Sequence, residues 1–82
     1  MSFPFPVTRY FDATRERADR QAVVPEWIAR VLAQPQHEQV QADGRLRRRA
    51  AVPEAGGRML RVVLLADGHS VHNAYFDRSF RS

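Results

Sequence analysis

Arg45, Arg47, Arg48 and Arg49 crowd into one short run, and Arg58 and Arg61 follow soon after. Guanidinium groups bind phosphate bidentately and stack on bases, so such a run points to RNA or to an acidic protein partner. Further along, His72, Tyr75 and Arg78 are the residue types that metal-free phosphodiester cleavage uses. That reaction needs a base near the ribose 2′-hydroxyl, an acid near the leaving oxygen, and cationic donors for the charge that builds on phosphorus. Arg61 as phosphate donor and His72, whose imidazole titrates near neutrality, form the candidate catalytic pair, with Tyr75 and Arg78 in reserve. Arg45, Arg47, Arg48, Arg49 and Arg58 are the RNA-binding candidates.

Each of these residues also has a plainer use. Charges on an edge strand prevent sheet-to-sheet aggregation, and an exposed pair such as Glu38 with Arg49 adds little stability. Arg61 could be a solvated sheet residue, His72 a cross-strand partner and Tyr75 a core aromatic. All 13 basic residues are arginine, which the coding bias of a GC-rich genome would also produce, so only their clustering carries functional weight.

Other chemistry finds little footing. His69 and His72 are three apart across a turn and a strand, which sends their side chains to opposite faces, and beyond Asp67 and Asp77 nothing completes a metal-ligand set. The expectation is no metal and no cofactor. Gly56-Gly57 lacks the spacing and the following helix of a phosphate-cradling loop. Without cysteine, neither a disulfide nor a thiolate zinc site can staple the fold, and a reducing cytoplasm fits best. The longest apolar stretch, Val62 to Ala66, is far short of the roughly 20 residues of a membrane span, and Met1 to Tyr10 lacks a signal pattern. The net charge is +4.

With 82 residues there is room for one domain and one modest core. Phe3-Pro4-Phe5-Pro6 makes residues 1–10 an extended arm whose aromatics cover a hydrophobic edge. A helical hairpin over 12–34 follows. Its first helix is capped by Asp12 or Thr14 and runs to about Ala22. The second spans Pro25 to Gln34, with Trp27, Ile28, Val31 and Leu32 on one stripe and Glu26 paired to Arg30, and Pro35 stops it. Residues 36–76 form an antiparallel sheet punctuated by Asp43-Gly44 and Asp67-Gly68, each read as a two-residue type I′ hairpin turn.

Those turns fix a register. In the first hairpin Val40 faces Arg47 and Glu38 faces Arg49, collecting Arg45, Arg47 and Arg49 on one face. In the second, Leu64 faces Val71, Val62 faces Asn73 and Leu60 faces Tyr75 on the face toward the helices. Arg61 and His72 become diagonal neighbours on the other. The fold class is therefore α+β, two N-terminal helices on a three- to four-stranded antiparallel sheet.

Ala13-Thr14-Arg15-Glu16-Arg17, then Glu26-Trp27-Ile28 with Val31, Leu32 and Pro35, then Leu60-Arg61-Val62-Val63 with Asp67-Gly68 and Val71, resemble small proteins of the RelE/ParE superfamily related to BrnT-type ribonuclease toxins. The likeness runs from about Tyr10 to Phe76. Ala13 stands where the family has a leading histidine, and the last strand lacks a basic residue after Ala74. The resemblance implies a RelE-like fold and a toxin-like protein that engages RNA or the ribosome, with metal-free ribonuclease activity as its enzymatic form. It also implies a small acidic antitoxin as partner. The alternative is a non-catalytic interaction module that keeps the fold, which Ala13 favours.

Overall fold

The structure, a computed structural model, describes residues 5–14, 17 and 23–77. Helices α1 (Arg9–Thr14) and α2 (Pro25–Ala33) combine with strands β1 (His37–Val40), β2 (Leu46–Val52), β3 (Arg58–Leu64) and β4 (Val71–Phe76), and a 3-10 turn spans Pro53–Ala55. The result is an α+β fold with one antiparallel sheet in the order β1-β2-β3-β4. Among the described residues, no helix is long and apolar enough to cross a membrane.

Strand alternation builds the core. Leu60, Val62 and Leu64 on β3, with Val71 and Ala74 on β4 and Ala50 and Val52 on β2, are buried against Ile28 and Val31 of α2 and Phe11 of α1. Burying each such large side chain stabilises the fold by about 1.5–3 kcal/mol. The expected stripe on α2 packs on this face, Trp27 meeting Phe76 edge-on at 6.2 Å. Pro25 opens the helix and Gln34 follows its last turn. Arg30 pairs not with Glu26 but with Glu54 in the 3-10 turn, through a two-pronged contact at 2.9 and 2.7 Å. Two parallel bonds from one guanidinium to one carboxylate are stronger than a single contact.

Helix α1 starts earlier than the capping signals suggest. Thr8, not Asp12 or Thr14, is its cap, its Oγ1 accepting the Phe11 N–H at 3.1 Å. Thr14 is instead buried at the end of the helix, its hydroxyl donating to the Phe11 carbonyl at 2.8 Å. The remainder of the expected first helix, 15–16 and 18–22, lies outside the described residues, as does Arg78. The arm packs in cis: Val7 makes a parallel bridge to Val71, and Phe5 sits edge-on to Phe11 at 6.2 Å. Thr8 N–H donates to the Val71 carbonyl and Val71 N–H to that of Pro6, so the outer edge of β4 is covered at this point. At the other edge of the sheet, all four residues of β1 are exposed.

Both turns depart from the two-residue form. Type I′ geometry needs positive φ at both central residues, yet in the described chain only glycines have positive φ, Gly44 at 89° and Gly68 at 73° among them. The aspartates satisfy the turns differently. Asp43 accepts the Arg45 N–H at 3.0 Å, and Gln41 rather than Ala42 pairs with Arg45, which makes a three-residue loop. Every pairing in the first hairpin moves by one: Glu38 faces Arg48, and Val40 faces Leu46. Asp67 accepts from the backbone of His69 and Ser70 and from the Ser70 hydroxyl. These donors, Ser70 first, hold its carboxyl down at about 2. Leu65 then pairs with Ser70 and Leu64 with Val71, as expected. Beyond them a bulge at Val63/Leu64 shifts the rest, so that Val63 faces Asn73, Val62 faces Ala74, Arg61 faces Tyr75 and Leu60 faces Phe76.

Candidate nucleic-acid interface

The face of the sheet turned away from α2 gathers Arg45, Arg47 and Arg49 from the β2 side, Arg61 from β3, and Asn73 and Tyr75 from β4. It follows from the register Arg47↔Val63, Arg49↔Arg61, Val63↔Asn73 and Arg61↔Tyr75, because partners directly opposite share a face. The alternating arginines thus lie on one face as the sequence suggests. Arg48 and Arg58 do not join them. Arg48 is on the helix side, where it donates to Glu38 at 2.5 Å and to the Leu32 carbonyl in the last turn of α2 at 3.3 Å. A cation there complements the helix dipole. Arg58 shares the Leu60 face, donating to the Ala55 carbonyl and lying 4.2 Å from the Phe76 ring centroid.

Asp77 organises the second face. It follows Tyr75 by two, so alternation places it beside Arg61, and its side chain is only 4% exposed. One of its oxygens, Oδ2, accepts from Arg61 Nη2 and, at 3.3 Å, from Arg49 Nε. Arg61 Nη1 donates to the Tyr75 hydroxyl at 2.7 Å, and its guanidinium lies 5.4 Å from the Tyr75 ring centroid. Arg61 Nε is buried without a hydrogen-bond partner. Such an orphaned donor is costly and is found where the surrounding network fixes the group in place. Arg49 is buried in this network, whereas Arg45, 43% exposed and 3.6 Å from Asp43, faces solvent. Arg47 reaches the Gln41 carboxamide, whose oxygen accepts at 3.1 Å from Nη2 in the amide orientation that satisfies both groups. The arrangement is two guanidiniums held by one buried carboxylate, one beside the exposed Asp43 and one on the Gln41 carboxamide.

The bulge parts the candidate catalytic pair. Arg61 was expected opposite Ala74 and diagonal to His72; instead it faces Tyr75, and Tyr75 lies on the arginine face rather than toward the helices. His72, in the bulged stretch, turns to the N-terminal edge. Its Nδ1 meets Thr8 Oγ1 at 3.1 Å and its ring stacks on Tyr10 at 4.7 Å with 20° between planes. Burial lowers its pKa below the ordinary imidazole value, and the charge of Arg45 lowers it further. Asp77, Thr8 and Tyr10 were the partners that sequence reasoning missed. Alternation from Tyr75 could have found Asp77; the Thr8 and Tyr10 contacts span most of the chain and left no periodic signal.

His72 makes stability depend on pH in a defined direction. The folded state protonates it less readily than the unfolded state, so its contribution is intact above about pH 6.5 and is lost as pH falls through the lowered folded value. Thermal melts from pH 8 to 5 are expected to show a decline that His72→Asn flattens, by at most about 1.4 kcal/mol per pH unit. Equal slopes in the two proteins would contradict this placement of His72. No protein family matches this chain, and neither does any curated protein or solved structure.

Proposed function

We propose that the chain is a toxin-like, RNA-engaging protein of RelE-like type, and that it engages RNA through the sheet face bearing Arg45, Arg47, Arg49 and Arg61. The observation that carries this reading is the gathering of four guanidiniums on one face, with Asp77 buried among them and Asp43 at their rim. Arg45 and Arg47, which are not tied to Asp77, supply the phosphate contacts. Arg61 and Arg49, fixed by Asp77, supply a rigid positive floor. Binding rather than cleavage is the activity this geometry supports best, because Arg61 and His72 have separate partners. The toxin-like pairing adds a small acidic antitoxin-like protein as the natural neutraliser of such a face.

Induced expression in a bacterial host, with growth and total RNA followed over time, tests the biological reading. Growth arrest by the natural chain, relieved by Arg45→Gln/Arg47→Gln, is the expected result. Harmless expression of the natural chain would remove the toxin-like reading. RNA loss abolished by His72→Ala would restore a cleavage role for His72.

A second reading has its own observation. All four residues of strand β1 are exposed, Val40 at 65%, and a sheet edge can accept an added strand from a partner. Under it the chain is a non-catalytic interaction module. Retention of a partner by Arg45→Gln/Arg47→Gln, with loss on Val40→Lys, would favour it.

A further inference from the structure

We propose that Tyr10, backed by His72, is a stacking platform for one unpaired nucleobase, so that the RNA this face takes is single-stranded. The inference rests on the RNA-engaging reading above and adds the form of the nucleic acid and a contact that is not electrostatic. Tyr10 is the exposed aromatic of the described chain, at 47%, on a helix whose next residue, Phe11, is fully buried. One face of its ring lies nearly parallel to the His72 imidazole, and it has no second ring partner among the described residues. Two devices hold that stack in place: the contact between His72 Nδ1 and Thr8 Oγ1, and the capping bond from Phe11 N–H to the same oxygen. The ring is thus pre-ordered, and docking a base on its outer face costs little side-chain entropy.

The charge needed to hold the adjoining phosphate is close by. Leu46, Leu64 and Val71 lie in one row across the sheet, which puts Arg45, next to Leu46, and His72, next to Val71, in the same region of the sheet. Arg45's own partner Asp43 is exposed and 3.6 Å away, so its guanidinium can exchange that carboxylate for a phosphate. A base on Tyr10 and a phosphate on Arg45 would set a strand across the end of the arginine face. A paired base is stacked within its own helix and has no free face to offer, whereas a single strand offers one at every nucleotide.

The test is fluorescence anisotropy at low salt with a labelled single-stranded oligoadenylate and a labelled A-form RNA duplex of equal length. The natural chain, Tyr10→Phe, Tyr10→Leu, Tyr10→Ala and Arg45→Gln/Arg47→Gln are compared. Tyr10→Ala is expected to weaken single-strand binding by about 5- to 100-fold, with little change on the duplex or in the salt dependence, while Tyr10→Phe binds as the natural chain does. Tyr10→Leu keeps bulk against His72 but no π face, so it should fail like alanine even if alanine loosens the arm. Tyr10→Leu binding like the natural chain, while Arg45→Gln/Arg47→Gln loses affinity, would overturn the platform and leave the RNA reading standing. Tyr10-dependent binding of polyglutamate in place of RNA would overturn it in favour of a protein ligand. Absence of binding to either RNA would overturn both readings.

Discussion

Asp77→Asn is expected to destabilise the protein by about 3–5 kcal/mol, read as a large fall in the urea midpoint at unchanged slope. The carboxylate is the shared acceptor of Arg49 and Arg61, and the side chains of Asp77 and Arg49 are 4% and 8% exposed. Neutralising it takes the carboxylate charge away from two guanidiniums at once, one of them buried, and the cost is that of a disrupted buried ion cluster rather than of one lost bond. Against a total stability of about 5–15 kcal/mol for a small domain, this approaches unfolding. Replacing all three groups together, as Asp77→Leu/Arg49→Met/Arg61→Met, should restore most of the loss, because an apolar cluster of similar volume carries no desolvation penalty. An Asp77→Asn protein with an unchanged midpoint would show that the pair is solvated and that the floor of the arginine face is not fixed.

Phe11→Ala is the second large effect, expected to cost about 3–5 kcal/mol. The ring is 1% exposed, belongs to the core that α2 and β3 share, and carries Phe5 edge-on. Its loss opens a cavity under α1 and releases the arm that covers the β4 edge through Val7. Thermal melting and proteolysis near the N-terminus measure the two consequences. A Phe11→Ala protein that melts within a degree of the natural chain would mean that α1 is not part of the core. This effect also sets a condition on the Tyr10 platform, since the capping bond that orders it runs from Phe11 N–H to Thr8.

The parts of the fold that were legible in the sequence are those written as periodic burial. Trp27, Ile28, Val31 and Leu32 specify the helix face that packs on the sheet, and Leu60, Val62, Leu64 and Val71 specify the face that receives it. Arg45, Arg47 and Arg49 are likewise placed on one face by alternation alone. What was not legible turns on single residues. Asp43 and Asp67 use their carboxylates to satisfy backbone N–H groups without positive φ, which lengthens both loops and, in the first hairpin, moves the register by one. The bulge at Val63/Leu64 then moves Tyr75 to the arginine face and sends His72 to Thr8 and Tyr10.

A one-residue slip exchanges the faces of a strand, so a pairing such as Arg61 with His72 depends on a bulge that composition does not reveal. The ion pairs follow the same logic. Arg30 with Glu54, and Arg49 and Arg61 with Asp77, join residues far apart in the chain, and only the folded register makes them neighbours.

The most direct test of the central claim is the salt dependence of RNA binding, measured for the natural chain, for Arg45→Gln/Arg47→Gln and for Arg30→Gln. Arg30 is an exposed arginine on the helix side, paired with Glu54, and serves as the control for charge alone. If Arg45 and Arg47 contact phosphates, the double variant should reduce the slope of log affinity against log salt by about 1.4, from about 0.7 per single-strand contact, while Arg30→Gln leaves it unchanged. Equal slopes for the two variants, or no salt-dependent RNA binding by the natural chain, would contradict the assignment of this face to RNA.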